Sequence, residues 1–134
     1  MKKTNIRCYL SIGHLQYFTD AELLRIETAL KEKKVKDYKF FNSRVDSSLE
    51  LFDTGKVESL DVESQVLGLL NNLKSYFSDF ESFCNSLEFS IAIIRVVIEI
   101  NDDILPAITF SKPTIAILNQ LKIEIDIDMY NFTR

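Results

Sequence analysis

Three carboxylates recur at every second position near the end of the chain, Glu124, Asp126 and Asp128, set between Ile123, Ile125, Ile127 and Met129. A spacing of two puts all three on one side of an extended strand. So aligned, they have the chemistry to ligate a hard cation or to work as an acid–base pair. A cation site, however, usually draws its oxygens from several elements or from a tight loop. The same pattern also arises when a strand buries its isoleucines and turns its acids to water or to a partner protein. On an edge strand the charges would also discourage uncontrolled sheet pairing. Tyr130 closes the acidic row, and Tyr17 and Phe18 form an aromatic pair far from it in sequence. Glu124, Asp126, Asp128, Tyr130, Tyr17 and Phe18 are the residues expected at an interaction surface.

Few other residues offer chemistry. His14, the only histidine, follows Gly13 at the end of an extended stretch, where it could act as a base or sit as an ordinary turn residue. Arg95 interrupts the most apolar run of the chain. It must pair or carry its charge to the surface, with Glu99 available on the same face, or else recognise an anion. Cys8 and Cys84 lie far apart with no CxxC, so no local zinc or redox motif exists, and both are expected as reduced, inaccessible thiols. No GxGxxG or GxxxxGK loop and no nucleophile-elbow or SxxK framework occurs. No catalytic, cofactor-binding or metal site is assigned, no cofactor is implied, and enzyme activity is not expected.

The elements that position these residues can be read from periodicity. Residues 6–12 alternate as a first strand. Thr19 and Glu22 form a capping box for a helix over 20–33, with Leu23, Ile26 and Leu30 on its apolar face and lysines at its exit. Strands near 36–41 and 48–52 follow, joined by a turn over 42–47. Asp61 caps a helix over 62–77, and Asp79 caps a second, short one over 79–85, because a continuous helix would bury both Ser78 and Asp79 in its interior. The β-branched run before Ile100 reads as a central strand apolar on both faces. Leu105–Phe110 reads as its strand partner, with Pro106 at the start or the exposed side. Ser111 caps a last helix with Ile115, Leu118 and Leu121 inward. In the closing strand, Ile123, Ile125, Ile127 and Met129 face the core. The predicted order is β-α-β-β-α-α-β-β-α-β: an α+β fold with a single mixed or mainly antiparallel sheet and helices packed on it.

Length and composition agree with one globular domain over 1–134. The chain has 46% hydrophobic and 27% charged residues with three Gly and two Pro, which excludes a disordered or collagen-like chain. Its net charge is −4, and the imbalance is confined to the second half: residues 1–67 carry 11 basic and 11 acidic side chains, residues 68–134 carry 5 and 9. Such an acidic surface argues against a nucleic-acid partner. The one basic cluster, Lys31, Lys33, Lys34, Lys36 and Lys39, is diluted by Glu32 and Asp37 and reads as a solvated helix exit. The start of the chain lacks a secretory pattern, and the longest apolar run is too short and too charged to span a bilayer, so no membrane partner is expected and the location is read as cytoplasmic. Ten Phe and five Tyr include neighbours such as Phe40-Phe41 that cannot share one face, so some rings should reach the domain rim.

The closing stretch from Phe110 to Tyr130 resembles the end of a bacterial family of uncharacterised small proteins, the DUF4279 domain. Members finish with a short helix, a Leu-x-x-Leu approach and a strand ending in Asp-Ile-Asp-x-Tyr. Leu118, Leu121, Asp126, Ile127, Asp128 and Tyr130 fill those places, and the two central helices followed by a strand also fit. The front half departs from the pattern: Phe18-Thr19-Asp20 stands where members carry Leu-Asp-Pro, and the chain has no tryptophan. Some relatives resemble immunity or accessory proteins near toxin genes. The resemblance implies a non-enzymatic, cytoplasmic protein-interaction domain, immunity-like in kind, with a protein partner it does not identify and with self-association left open. The competing reading is a small-ligand-binding protein or an enzyme whose pocket is assembled from sequence-distant residues. A deep pocket holding His14, Arg95 or several carboxylates would favour the second; a flat aromatic patch ringed by acids would favour the first.

Overall fold

The branched aliphatic run ending at Ile100 forms a long inner strand next to one margin of the sheet, and the strand of residues 5–14 lies at the middle. The computed structural model describes residues 3–14, 17–43 and 46–133, with His14 described in its backbone alone. In chain order the elements are β1 (Asn5–His14), α1 (Asp20–Glu32), β2 (Tyr38–Asn42), β3 (Ser47–Leu51), β4 (Val57–Glu58), α2 (Val62–Tyr76), α3 (Phe80–Ser86), β5 (Ile91–Ile100), α4 (Lys112–Leu121) and β6 (Glu124–Asn131). The strands form one sheet in the order β2-β3-β1-β5-β6, with the short β4 pairing the start of β1. β5 and β6 run parallel, joined through α4, and every other pairing is antiparallel. The fold is therefore α+β with a mixed sheet.

Strand periodicity decides where the core lies. Ile6, Cys8, Leu10 and Ile12 of β1, Leu49 and Leu51 of β3, and Ile94, Val96, Ile98 and Ile100 of β5 are buried and share one side of the sheet. They join a single core with Ile26 and Leu30 of α1, Val62, Val66, Leu69, Leu70 and Leu73 of α2, Phe80 and Phe83 of α3, and Leu118 of α4. Each fully buried aliphatic or aromatic side chain of this kind contributes about 1.5–3 kcal/mol relative to exposure. Among the described residues, the four helices thus pack against the same side, and the other side of the sheet carries none.

Local signals set the helix boundaries. The Glu22 N–H donates to Thr19 Oγ1 at 3.2 Å, and the Thr19 N–H donates back to Glu22 Oε1 at 3.1 Å, completing the expected capping box. Asp61 and Asp79 accept from the Ser64 and Ser82 N–H groups at 3.3 and 3.0 Å, so the chain does break between α2 and α3. Ser111 occupies the cap position of α4, yet its hydroxyl lies 3.2 Å from that of Thr114 and accepts no helix N–H.

Several expectations are corrected. Leu105–Phe110 is not a strand: Ala107 makes an isolated bridge to Asp61, donating to the Leu60 carbonyl at 2.8 Å. Both edges of β5 are already taken by β1 and β6, so no ladder is left for that segment, and Pro106 has no N–H to offer one. β5 is not covered on both faces; only alternate residues are buried. Ile115 and Met129 are exposed: α4 presents Thr114 and Leu118 to the core, and in β6 it is Ile125 and Ile127 that pack against it. Cys8 is fully buried, but Cys84 is only half-buried; both are free thiols. The predicted turn at 42–47 includes residues 44–45, which lie outside the described residues.

Candidate functional site

The side of the sheet without helices is built from the residues that alternate with the core rows. Direct register pairing defines its rows. Lys39, Glu50, Ser11, Ile93 and Glu124 form one row across five strands. Tyr9, Arg95 and Asp126 form the next, then Arg7, Val97 and Asp128, and then Glu58, Asn5, Glu99 and Tyr130. Ile91, Ile93 and Val97 are half-exposed between these polar side chains. The face thus sets half-exposed branched aliphatics among charged and polar register neighbours.

Two arginines run along its centre, each matched to an acid from a neighbouring element. Arg95 Nη1 donates to Asp126 Oδ2 at 2.7 Å, across directly opposed positions of β5 and β6. The expected partner Glu99 instead receives Lys56 Nζ at 2.9 Å and Asn5 Nδ2 at 3.2 Å. Arg95 could not take Glu99 as readily, because residues four apart on a strand are separated by two pleats, whereas opposed residues sit side by side. Arg7 Nε donates to both oxygens of Asp53 at 3.0 and 3.1 Å, and its guanidinium carbon lies 4.8 Å from the Tyr9 ring centre.

A backbone kink makes the Arg7–Asp53 pair possible. Simple alternation after Glu50 would place the Phe52 ring on this face and Asp53 in the core. Phe52 adopts φ +56°, an uncommon conformation for a bulky residue. Its ring turns to the helices, 5.5 Å from Tyr76 and 6.3 Å from Phe77, and Asp53 is delivered to Arg7. The Arg7 hydrogen bonds, helped by the Gly55 N–H, hold the Asp53 carboxyl below its ordinary range against the opposing effect of burial. Burial pushes Glu50 and the Tyr9 phenol upward.

The residues expected at an interaction surface are divided by the structure. Glu124, Asp126, Asp128 and Tyr130 share this face along β6, with Asp126 half-buried in its ion pair rather than standing free in water. Tyr130 is 52% exposed and stacks near Phe132, ring centres 6.4 Å apart. Phe18 is fully buried, edge-on to Phe40 and Phe89, so it is a core residue and leaves the set. Its neighbour Tyr17 is 57% exposed and follows the end of β1 where the Phe18 N–H donates to Asn42 of β2 and Ser47 of β3, the margin of the sheet opposite β6. The His14 side chain lies outside the described residues. Arg7, Tyr9, Glu50 and Asp53 were missed, although the alternation of Arg7, Tyr9 and Ser11 with Ile6, Cys8, Leu10 and Ile12 already marks β1 as having one polar side.

A groove of about 860 Å³ opens at the Asn5–Glu99 end of this face, lined by Lys3, Asn5, Lys56, Glu99, Asn101, Asp102 and Phe132. Arg95 is not part of its lining. Among the described residues, no group of three or more His, Cys, Asp or Glu is placed to hold a metal ion, and no helix is long and apolar enough to cross a membrane. Burial raises the Cys8 and Cys84 thiols to about 11 and about 12, which leaves both protonated and unreactive near neutrality.

No curated protein and no solved structure matches the chain. A family model described as a domain of unknown function, DUF4279, matches residues 4–132, so the two-layer fold with its bare sheet face belongs to a member of the DUF4279 family.

Proposed function

We propose that this domain is a non-enzymatic, cytoplasmic protein-interaction module, immunity-like in kind, and that its partner docks on the helix-free side of the sheet. One observation carries the reading: all four helices cover one side, leaving half-exposed Ile91, Ile93 and Val97 on the other among ion pairs already held in place. Pre-paired arginines present fixed charges without the ordering cost of free side chains, which suits recognition by a preformed surface. The competing small-ligand or enzyme reading has its own support in the groove, where Asn5 Oδ1 is buried without a hydrogen-bond donor.

Affinity capture from native cells with two baits tests the proposal. The parent domain should recover a protein in stoichiometric amount, and the doubly substituted bait Ile93→Arg, Val97→Arg, shown to be folded by circular dichroism, should lose it. Equal recovery by both baits, or no reproducible partner, would count against docking on this face.

A further inference from the structure

β6 forms one margin of the sheet. It pairs with β5 through eight consecutive register positions, Ile93↔Glu124 to Ile100↔Asn131, with no bulge. It has no proline, glycine or lysine. Among the described residues, no backbone hydrogen bond outside the β5 ladder involves residues 124–131. The opposite margin, β2, has five residues and carries Lys39, a common guard of sheet edges. β6 therefore offers the longer uninterrupted row of unpaired backbone donors and acceptors, which its acids guard against any strand that does not neutralise them. Its helix-free side presents Glu124, Asp126 and Asp128, and among the described residues the cation paired with this row is Arg95, bound to Asp126. Its far end exposes Met129 on one side and Tyr130 on the other.

We propose that β6 is a β-augmentation site that receives an extended basic segment of a partner protein, with Lys or Arg at every second position and apolar residues between. Backbone pairing along the edge supplies the binding, and the alternating cations lie beside Glu124 and Asp128 on one face. A second copy of this chain is a poor occupant. Two β6 strands joined about a twofold axis keep their helix-free sides together, which sets both acidic rows against each other and repels them. The inference rests on the proposed interaction role and names the chemistry of its partner.

Acetylated eight-residue peptides are the probes, titrated against the full chain at low and moderate salt. Alternating Lys-Val should bind, protect backbone amides within 124–131 from hydrogen exchange, and weaken as salt rises. Alternating Glu-Val should bind at least tenfold more weakly. A Lys-Val peptide N-methylated at alternate residues, on the side that pairs, keeps its charge but should lose binding. In the folded variant Glu124→Lys, Asp128→Lys, the Lys-Val affinity should fall at least tenfold. Equal affinity for the N-methylated peptide, protection on β2 instead of β6, or absence of binding would overturn the inference. So would sedimentation of the chain alone as a dimer through β6. If these peptides fail while the captured partner still depends on Ile93 and Val97, the docking face stands and only the strand-addition mode is lost; if no partner is captured at all, the interaction role itself fails.

Discussion

At the scale of single residues, Arg7 and Asp53 show how a charged pair is stabilised by its surroundings. The pair is part-exposed, so its net worth is modest, but the bidentate Arg7 geometry and the Gly55 N–H give the carboxylate a fixed, charged set of donors in place of water. The sign of its pH effect follows. Because the folded carboxyl is held below its ordinary value of 3.8, the unfolded chain takes up a proton at higher pH than the folded one. The stabilisation is complete above that value and is lost as pH falls through the folded value. The cap carboxylates Asp61 and Asp79 are lowered in the same direction by the Ser64 and Ser82 groups they accept from. Denaturant midpoints should therefore decline below about pH 4, and Asp53→Asn should make that decline shallower. An unchanged acid limb in the variant would contradict the assignment.

At the scale of elements, β6 packs its first isoleucines against the core and leaves its far end exposed. Ile94, fully buried opposite it, should cost about 2–5 kcal/mol when cut to alanine. Ile125 is half-buried against the core, and its alanine variant should cost about 2 kcal/mol, the floor of that range. Met129, 55% exposed, should cost within about 0.5 kcal/mol, and Asp126→Asn at most about 1 kcal/mol for the loss of a part-exposed ion pair. Urea unfolding of the four variants should give this order; an Asp126 variant weaker than the Ile94 variant would refute it. These facing assignments also show what was legible beforehand. The capping residues Thr19, Asp61 and Asp79 and the alternation of β1 and β6 could be read directly, because they are local. The strand expected at 105–110 could not be rejected from its own residues: it fails because β1 and β6 already occupy both edges of β5, a non-local fact. Ile91, Ile93 and Val97 suggested a covered face for a similar reason. No helix lies on that side among the described residues, and their register neighbours on β1 are Gly13, Ser11 and Arg7. The exchange of facing between Phe52 and Asp53 depends on one positive φ, at a residue type that gives no sign of it.

At the scale of the whole molecule, the domain has two unlike sides: a helical layer closing one core, and a sheet face with arginines along its centre and acids along its β6 margin. The excess acidity of the second half of the sequence is partly this margin, since Glu124, Asp126 and Asp128 are three of the nine acidic residues beyond residue 67. A partner that uses this asymmetry must protect β5 and β6 and leave the helices unchanged. Hydrogen exchange of the domain, alone and bound to its captured partner, measures that most directly. The account predicts slower exchange within 91–100 and 124–131 and none of it within α1 at 20–32. Protection confined to the helices, with β5 and β6 exchanging as in the free domain, would contradict it.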